Sequence, residues 1–287
     1  MQDAVSFCAE LVRNADRDRY VATLFAPAHN RNALYALYAF NVEVEQVRNR
    51  AREAAPGEMR LQWWREVVQG ERHGEAMASP VAASLLNAIE HHRLPVNAIL
   101  ALLEARRFDL HDEPMRTMAE LEDYALKTAS ALIAMAAQIL GVDAATAARP
   151  AGIACALTQV LAALPGHATR RQLYLPVELI DRHGAHAADV FARRASPALN
   201  QAAADLRRVA RGHLAAAANN LRALSQRALP AFLPIAPVGK SLDRLDRSDI
   251  FSPKVLSPWR RQWLIWRAAR NPNRWLTDYA EPRPLPF

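Results

Sequence analysis

Glycine and cysteine are both scarce in this chain of 287 residues, which holds 9 of the first and 2 of the second. So few glycines exclude Gly-rich phosphate loops and hairpin-rich sheets, whose turns need residues at positive φ. Cys8 and Cys155 make neither a disulfide framework nor a zinc cluster, and they point to a reducing compartment. Long apolar runs are missing too. The longest candidate, Ala129 to Val142, carries Gln138 and falls about four residues short of a bilayer span. The first residues show no basic stretch followed by an apolar one, and acids come early at Asp3, Glu10, Asp16 and Asp18. Neither a secretory signal nor a mitochondrial presequence is expected, and a cytoplasmic protein is.

What the chain does have is helical periodicity from end to end. Leu34, Leu37, Tyr38, Val42 and Glu45 share one stripe of a helix over 33–49. A second helix follows the Pro56-Gly57 break at 58–71, and a third, at 81–92, opens on Ser79 as N-cap and Pro80. Thr117 and Glu120 have capping-box spacing at the head of a helix expected to run to Gly141. Further helices are expected at 95–108, at 147–164 with an end at Pro165-Gly166, at 197–224 and at 258–269. No period-two strand alternates with them and no linker divides them. The pattern predicts an all-α single domain over 1–276 and a Pro-rich, frayed tail over 277–287.

Net charge is +7, and the segment from Lys240 onward supplies most of it, with ten Lys and Arg against five acids. There Trp259, Trp263 and Trp266 fall at i, i+4 and i+7, interspersed with Arg260, Arg261 and Arg267. Two accounts fit: the Trp stripe packs on the core while the arginines stay solvated, or the helix docks on a membrane surface or a partner. Nucleic-acid binding is not expected, because the aromatics share one apolar stripe and do not stand apart as stacking platforms. Val238-Gly239-Lys240-Ser241 looks like the end of a phosphate loop, but Pro234 stands where the first glycine is required. His91-His92 are adjacent, hence about 100° apart on a helix, and Gly184 lies between His183 and His186, so neither pair makes a metal site.

Asp18-Arg19-Tyr20, Leu34 to Phe40, Arg60-Leu61-Gln62-Trp63-Trp64-Arg65 and the stretch Gly152 to Pro176, closing on Leu173-Tyr174-Leu175-Pro176, together resemble the squalene/phytoene synthase family. The resemblance implies an isoprenoid-synthase-like helical bundle around a central cavity. It also implies head-to-head condensation of prenyl diphosphates, with magnesium held by two Asp-rich stretches facing each other across the cavity. Mg²⁺ needs such hard carboxylate oxygens, and its charge stabilises the diphosphate leaving group.

Carried onto this sequence, those positions have changed. The two metal-facing Asp positions of the first motif fall on Glu45 and Asn49, and the diphosphate-contacting Arg falls on Val42. In the second motif the Asn and two Asp fall on Gln159, Ala163 and His167, and its Arg falls on Ala162. Gly166 stands beside the last, and Pro165 is expected to interrupt the helix. Glu43 cannot stand in for a partner of Glu45, because two residues is about 200° around a helix. A magnesium site, and with it prenyl transfer, is therefore not expected, so no catalytic residue and no cofactor are assigned.

Ala39-Phe40-Asn41-Val42-Glu43, Glu120 to Ala125, Pro230-Ala231-Phe232-Leu233 and Asp249-Ile250-Phe251-Ser252-Pro253 resemble, more narrowly, the branch that contains mitochondrial complex I assembly factor 6. That branch keeps the synthase fold without the Asp motifs, and the composition suits a bacterial member. The resemblance implies a non-catalytic role in assembly of NADH:ubiquinone oxidoreductase, with a complex I subunit or assembly partner, peripheral on the inner membrane, and a cavity for a lipid or prenyl group. Glu45, Arg170, Arg171 and Tyr38 are the candidate ligand-binding residues, with Arg60 or Arg65 as candidate partners of Glu45. Tyr38, Phe40, Trp63 and Trp64 also suit a packed core. Two alternatives stand: a prenyl transferase of altered mechanism using Glu45 with His167, Arg170 or Arg171, and an enzyme of another type that reuses the cavity without a diphosphate.

Overall fold

The structure, a computed structural model, describes residues 2–50 and 53–280; these are helices and connectors, with no strand among them. The chain opens with α1 (Gln2–Ala15) and α2 (Arg17–Thr23), the latter capped by Asp16, whose side chain accepts from the Arg19 N–H. Next come α3 (Ala28–Glu45), α4 (Val47–Arg50), α5 (Ala54–Gln69), α6 (His73–Ala78), α7 (Pro80–His92) and α8 (Val96–Arg106). A 3₁₀ turn at Arg107–Leu110 precedes α9 (Met118–Ala125), which runs through a π-helical turn, Leu126–Ser130, directly into α10 (Ala131–Ile139). The second half holds α11 (Ala145–Thr169), α12 (Val177–Arg182), α13 (Ala187–Phe191), α14 (Pro197–Arg222), α15 (Leu229–Phe232), α16 (Val238–Leu245), α17 (Pro258–Arg270) and α18 (Pro272–Ala280).

Two helices run through the middle. In α3 every residue from Leu34 to Val42 is buried, because α1, α7 and α10 surround it, so no polar face is needed there. α11 packs along α14 and against α10 and the π turn. By length and composition it passes for a membrane span, yet 72% of its apolar window is buried inside the bundle, as in the core helix of a globular domain. Phe40 meets Trp64 edge to face at 5.0 Å, and both are fully buried, which joins α3 to α5. Tyr38 is likewise core, while Trp63 stays partly buried and donates its indole N–H to Glu75 at 3.0 Å.

Several boundaries differ from the sequence expectation. α11 does not end at Pro165 but continues to Thr169. Proline removes one backbone donor from the ladder, and burial of Leu164 and Ala168 on either side outweighs that loss. α5 begins at Ala54, ahead of Pro56-Gly57, because proline is tolerated in a first turn, where the N–H has no partner in any case. The helix expected over 33–49 breaks at Gln46. The expected helix behind Thr117 has its capping box, but it carries the π turn. There α11 crosses so closely that a Cβ on Gly152 would stand 2.2 Å from the Ser130 nitrogen, and the Ser130 hydroxyl donates to the Arg149 carbonyl at 2.8 Å. Residues 277–280 belong to α18; the remainder of the expected tail lies outside the described residues.

Candidate functional site: an arginine-lined cavity between α3 and α11

A cavity of about 480 Å³ opens between α3, the π turn, α10 and α11, with the segment after α11 closing one side. The register implied by the resemblance places the degenerate positions here. Glu45, Asn49, Gln159, Ala162, Ala163 and His167 all line it. Val42 does not; it is buried in the bundle. Of the candidate ligand residues, Glu45 and Arg170 line the cavity. Tyr38 is packed behind it with the Arg19 guanidinium 5.7 Å from its ring, and Arg171 turns away over Phe191 at 5.4 Å.

Arg106, Asp109 and Gln172, which organise the cavity together with Tyr124 and Tyr174, were not singled out in the sequence. Arg106, at the end of α8, donates to Glu45 Oε1 at 2.5 Å and to the Tyr124 hydroxyl at 2.8 Å, and pairs with Asp109 Oδ2 at 3.2 Å. Asp109 accepts from the hydroxyls of Tyr124 (2.8 Å) and Tyr174 (2.6 Å). Its carbonyl accepts from Gln172 at 2.8 Å, and Gln172 in turn accepts from Arg170 Nε at 2.9 Å. Burial first, and Asp109 next, push the Tyr174 phenol well above its usual range. Burial works against the Arg106 charge, but Tyr124, Glu45 and Asp109 outweigh it and hold the guanidinium protonated. Glu45 therefore pairs with Arg106. Arg60 pairs instead with Glu43 at 2.7 Å and Arg65 with Glu104 at 3.3 Å. The one signal in the sequence was the Arg106/Asp109 spacing, which sets opposite charges on adjacent turns.

Residues 12–267 match the sequence model of the squalene/phytoene synthase family. The chain belongs to the squalene/phytoene synthase family. Among its relatives is human NADH dehydrogenase (ubiquinone) complex I, assembly factor 6, 32% identical over 254 residues, which are 87% of this chain and 76% of that protein. Among solved structures, a dehydrosqualene synthase in complex with ligand superposes with a TM-score of 0.82 at 17% identity, over 97% of this chain and 98% of that one. Squalene synthase HpnC from Alicyclobacillus acidocaldarius gives 0.75 at 22%, over 88% and 95%. At these identities the solved structures establish the all-α isoprenoid-synthase fold.

The cavity residues do not fit the magnesium cluster that the squalene/phytoene synthase family implies. Glu45 brings one carboxylate, already held by Arg106. Asn49 and Gln159 bring neutral amides, and Ala162 and Ala163 bring no donor atom. His167 is pushed down to about 4 by burial and by Arg170, so its imidazole is neutral at pH 7. Among the described residues no group of three or more His, Cys, Asp or Glu side chains is placed to hold a metal ion. Four guanidiniums line the cavity, from Arg19, Arg48, Arg106 and Arg170, against the two carboxylates of Glu45 and Asp109. Arg19 and Arg48 are paired further back, with Asp16 and with Asp112, so each carboxylate at the cavity is engaged by a guanidinium and none is free for a dication.

The Trp stripe of α17 faces outward. Trp259, Trp263 and Trp266 are 68%, 45% and 50% exposed, while Ile265 and Ala268 turn inward, so the expectation of a core-packed stripe is corrected. Arg267 and Arg270 lie over Trp263 and Trp266, 5.2 and 5.8 Å from the ring centroids. Arg260 is exposed beside them. Arg261 points the other way and pairs with Asp18 at 2.5 Å, which anchors α17 to α2 and fixes which face meets solvent.

Proposed function

We propose that this protein acts in the assembly of respiratory complex I as a non-catalytic member of the squalene/phytoene synthase family. The observation that carries the proposal is the similarity to complex I assembly factor 6 along 87% of the chain. The cavity supports it, because the carboxylates that would bind magnesium are replaced or neutralised by arginine. Its partner is a complex I subunit or assembly partner, and the cavity keeps a place for a lipid or prenyl group. The exposed Trp259, Trp263 and Trp266 with Arg260, Arg267 and Arg270 suit attachment to the cytoplasmic face of an inner membrane, indole rings at the headgroup level and guanidiniums on anionic lipid. The alternative, condensation of isoprenoid diphosphates, has the fold in its favour and the cavity chemistry against it.

The test is deletion of the gene in its own cell, followed by measurement of assembled complex I on native gels and of NADH:ubiquinone oxidoreductase activity in membranes. Loss of both, restored by the wild-type chain and by Glu45→Gln, is expected. Normal complex I in the deletion strain would overturn the proposal.

A further inference from the structure

Nine large apolar side chains are exposed among the described residues, and six of them belong to two neighbouring segments. Val255, Trp259, Trp263 and Trp266 lie on α17 and just ahead of it; Leu24 and Phe25 end α2, the helix against which α17 packs. Val255 is 59% exposed, Leu24 45% and Phe25 37%. Phe25 stands seven residues after Asp18, close to the same line of the helix surface, and Asp18 is the residue that α2 turns to Arg261 of α17. Arg31 holds the backbone of this corner by donating to the Leu24 carbonyl at 3.0 Å and to the Ala26 carbonyl at 2.9 Å. Arg17, Lys254, Arg260 and Arg270 are exposed on the same two segments, and among the described residues none of the four has a carboxylate partner. The acids nearby, Asp18 and Asp278, are taken by Arg261 and Arg267. Apolar surface gathered in this way marks an interaction site, where singly scattered side chains do not.

We propose that α17 and the corner between α2 and α3 form one two-part surface that seats the protein on an anionic phospholipid bilayer, with Leu24 and Phe25 entering the interface beside the tryptophans. This deepens the membrane attachment proposed above and rests on it. A single amphipathic helix lying in the interface leaves the bundle free to roll about the helix axis. A second apolar contact off that axis removes this freedom and gives the protein one orientation on the surface. Indole rings settle at headgroup level, and each unpaired cation gains from a negative surface potential, so the lipid has to carry charge. The one described helix with the length and composition of a membrane span, α11, is packed inside the bundle, so the contact is made by surface residues.

The experiment is co-sedimentation of the full-length protein with vesicles of equimolar phosphatidylcholine and phosphatidylglycerol, and of phosphatidylcholine alone, with indole emission read on the same samples. Binding to the mixed vesicles about tenfold tighter than to phosphatidylcholine, with a blue shift of the emission, is expected. Leu24→Ser with Phe25→Ser should weaken it about tenfold, the scale of withholding two half-exposed apolar side chains from the interface. The blue shift should persist at saturating lipid, since α17 is untouched. Leu24→Trp should tighten binding, a gain that no loss of folding can imitate. Met59→Ser with Met77→Ser removes exposed apolar groups elsewhere and should change nothing. Unchanged binding in the Leu24 and Phe25 variants would overturn this inference alone and leave α17 as the sole contact. No binding by the wild-type chain, or equal binding to both vesicles, would overturn it together with the attachment it rests on.

Discussion

Asp109 is the residue on which the cavity wall hangs, and its removal has a calculable effect. It is 9% exposed and receives the Tyr174 hydroxyl at 2.6 Å, the Tyr124 hydroxyl at 2.8 Å and Arg106 at 3.2 Å. Asp109→Ala leaves two phenols without their acceptor and Arg106 with Glu45 as its one carboxylate. Breaking a buried ion pair from one side costs about 3–5 kcal/mol, a large share of a total that is typically about 5–15 kcal/mol. At roughly 2 °C per kcal/mol for a chain of this size, the midpoint should fall by roughly 6–10 °C. Circular-dichroism melts at pH 7 read this directly. Tyr174→Phe removes one hydroxyl and keeps the ring, and should cost only about 1–2 kcal/mol. A melt of Asp109→Ala within about 2 °C of the wild type would refute the claim that this network holds the 3₁₀ turn to the segment after α11.

Gly152→Ala forces a Cβ onto the Ser130 backbone and should destabilise by about 1–3 kcal/mol or more; a crystal structure showing α11 and the π turn unmoved would contradict that packing. Stability should also fall in acid through His167, whose imidazole is pushed down by burial and by Arg170 to about 4, from the 6.5 usual for histidine. Because the unfolded chain takes the proton first, this contribution is complete above pH 6.5 and is lost as pH falls toward 4. It amounts to about 3 kcal/mol, and His167→Phe should flatten that part of a urea-denaturation pH series. Replacing Trp259, Trp263 and Trp266 together by serine should leave the melting midpoint within about 1 °C, since exposed side chains contribute little. The same variant should lose co-sedimentation with anionic phosphatidylglycerol vesicles, and retained binding would move the membrane contact elsewhere.

Local signals were legible where the residues that make them are neighbours in sequence. Ser79-Pro80 and the Thr117/Glu120 box both sit where expected, since caps depend on three or four consecutive residues. The register of Glu45, Asn49, Gln159 and His167 was legible through family resemblance, and those residues do share one cavity. The Arg106–Asp109–Tyr124–Tyr174 network was not, because Tyr174 lies 65 residues from the carboxylate it binds and no spacing encodes that. The π turn inserts into a helix without disturbing its apolar pattern enough to be seen. α17 carries two apolar stripes, and the ion pair of Arg261 with Asp18, 243 residues apart, decides which one turns inward.

The most direct test of a synthase fold without synthase chemistry is release of inorganic pyrophosphate from farnesyl or geranylgeranyl diphosphate by the purified protein in the presence of Mg²⁺. No release above the protein-free control is expected, with or without the metal. Magnesium-dependent release that disappears in Glu45→Gln would contradict the non-catalytic assignment and restore prenyl transfer to this cavity.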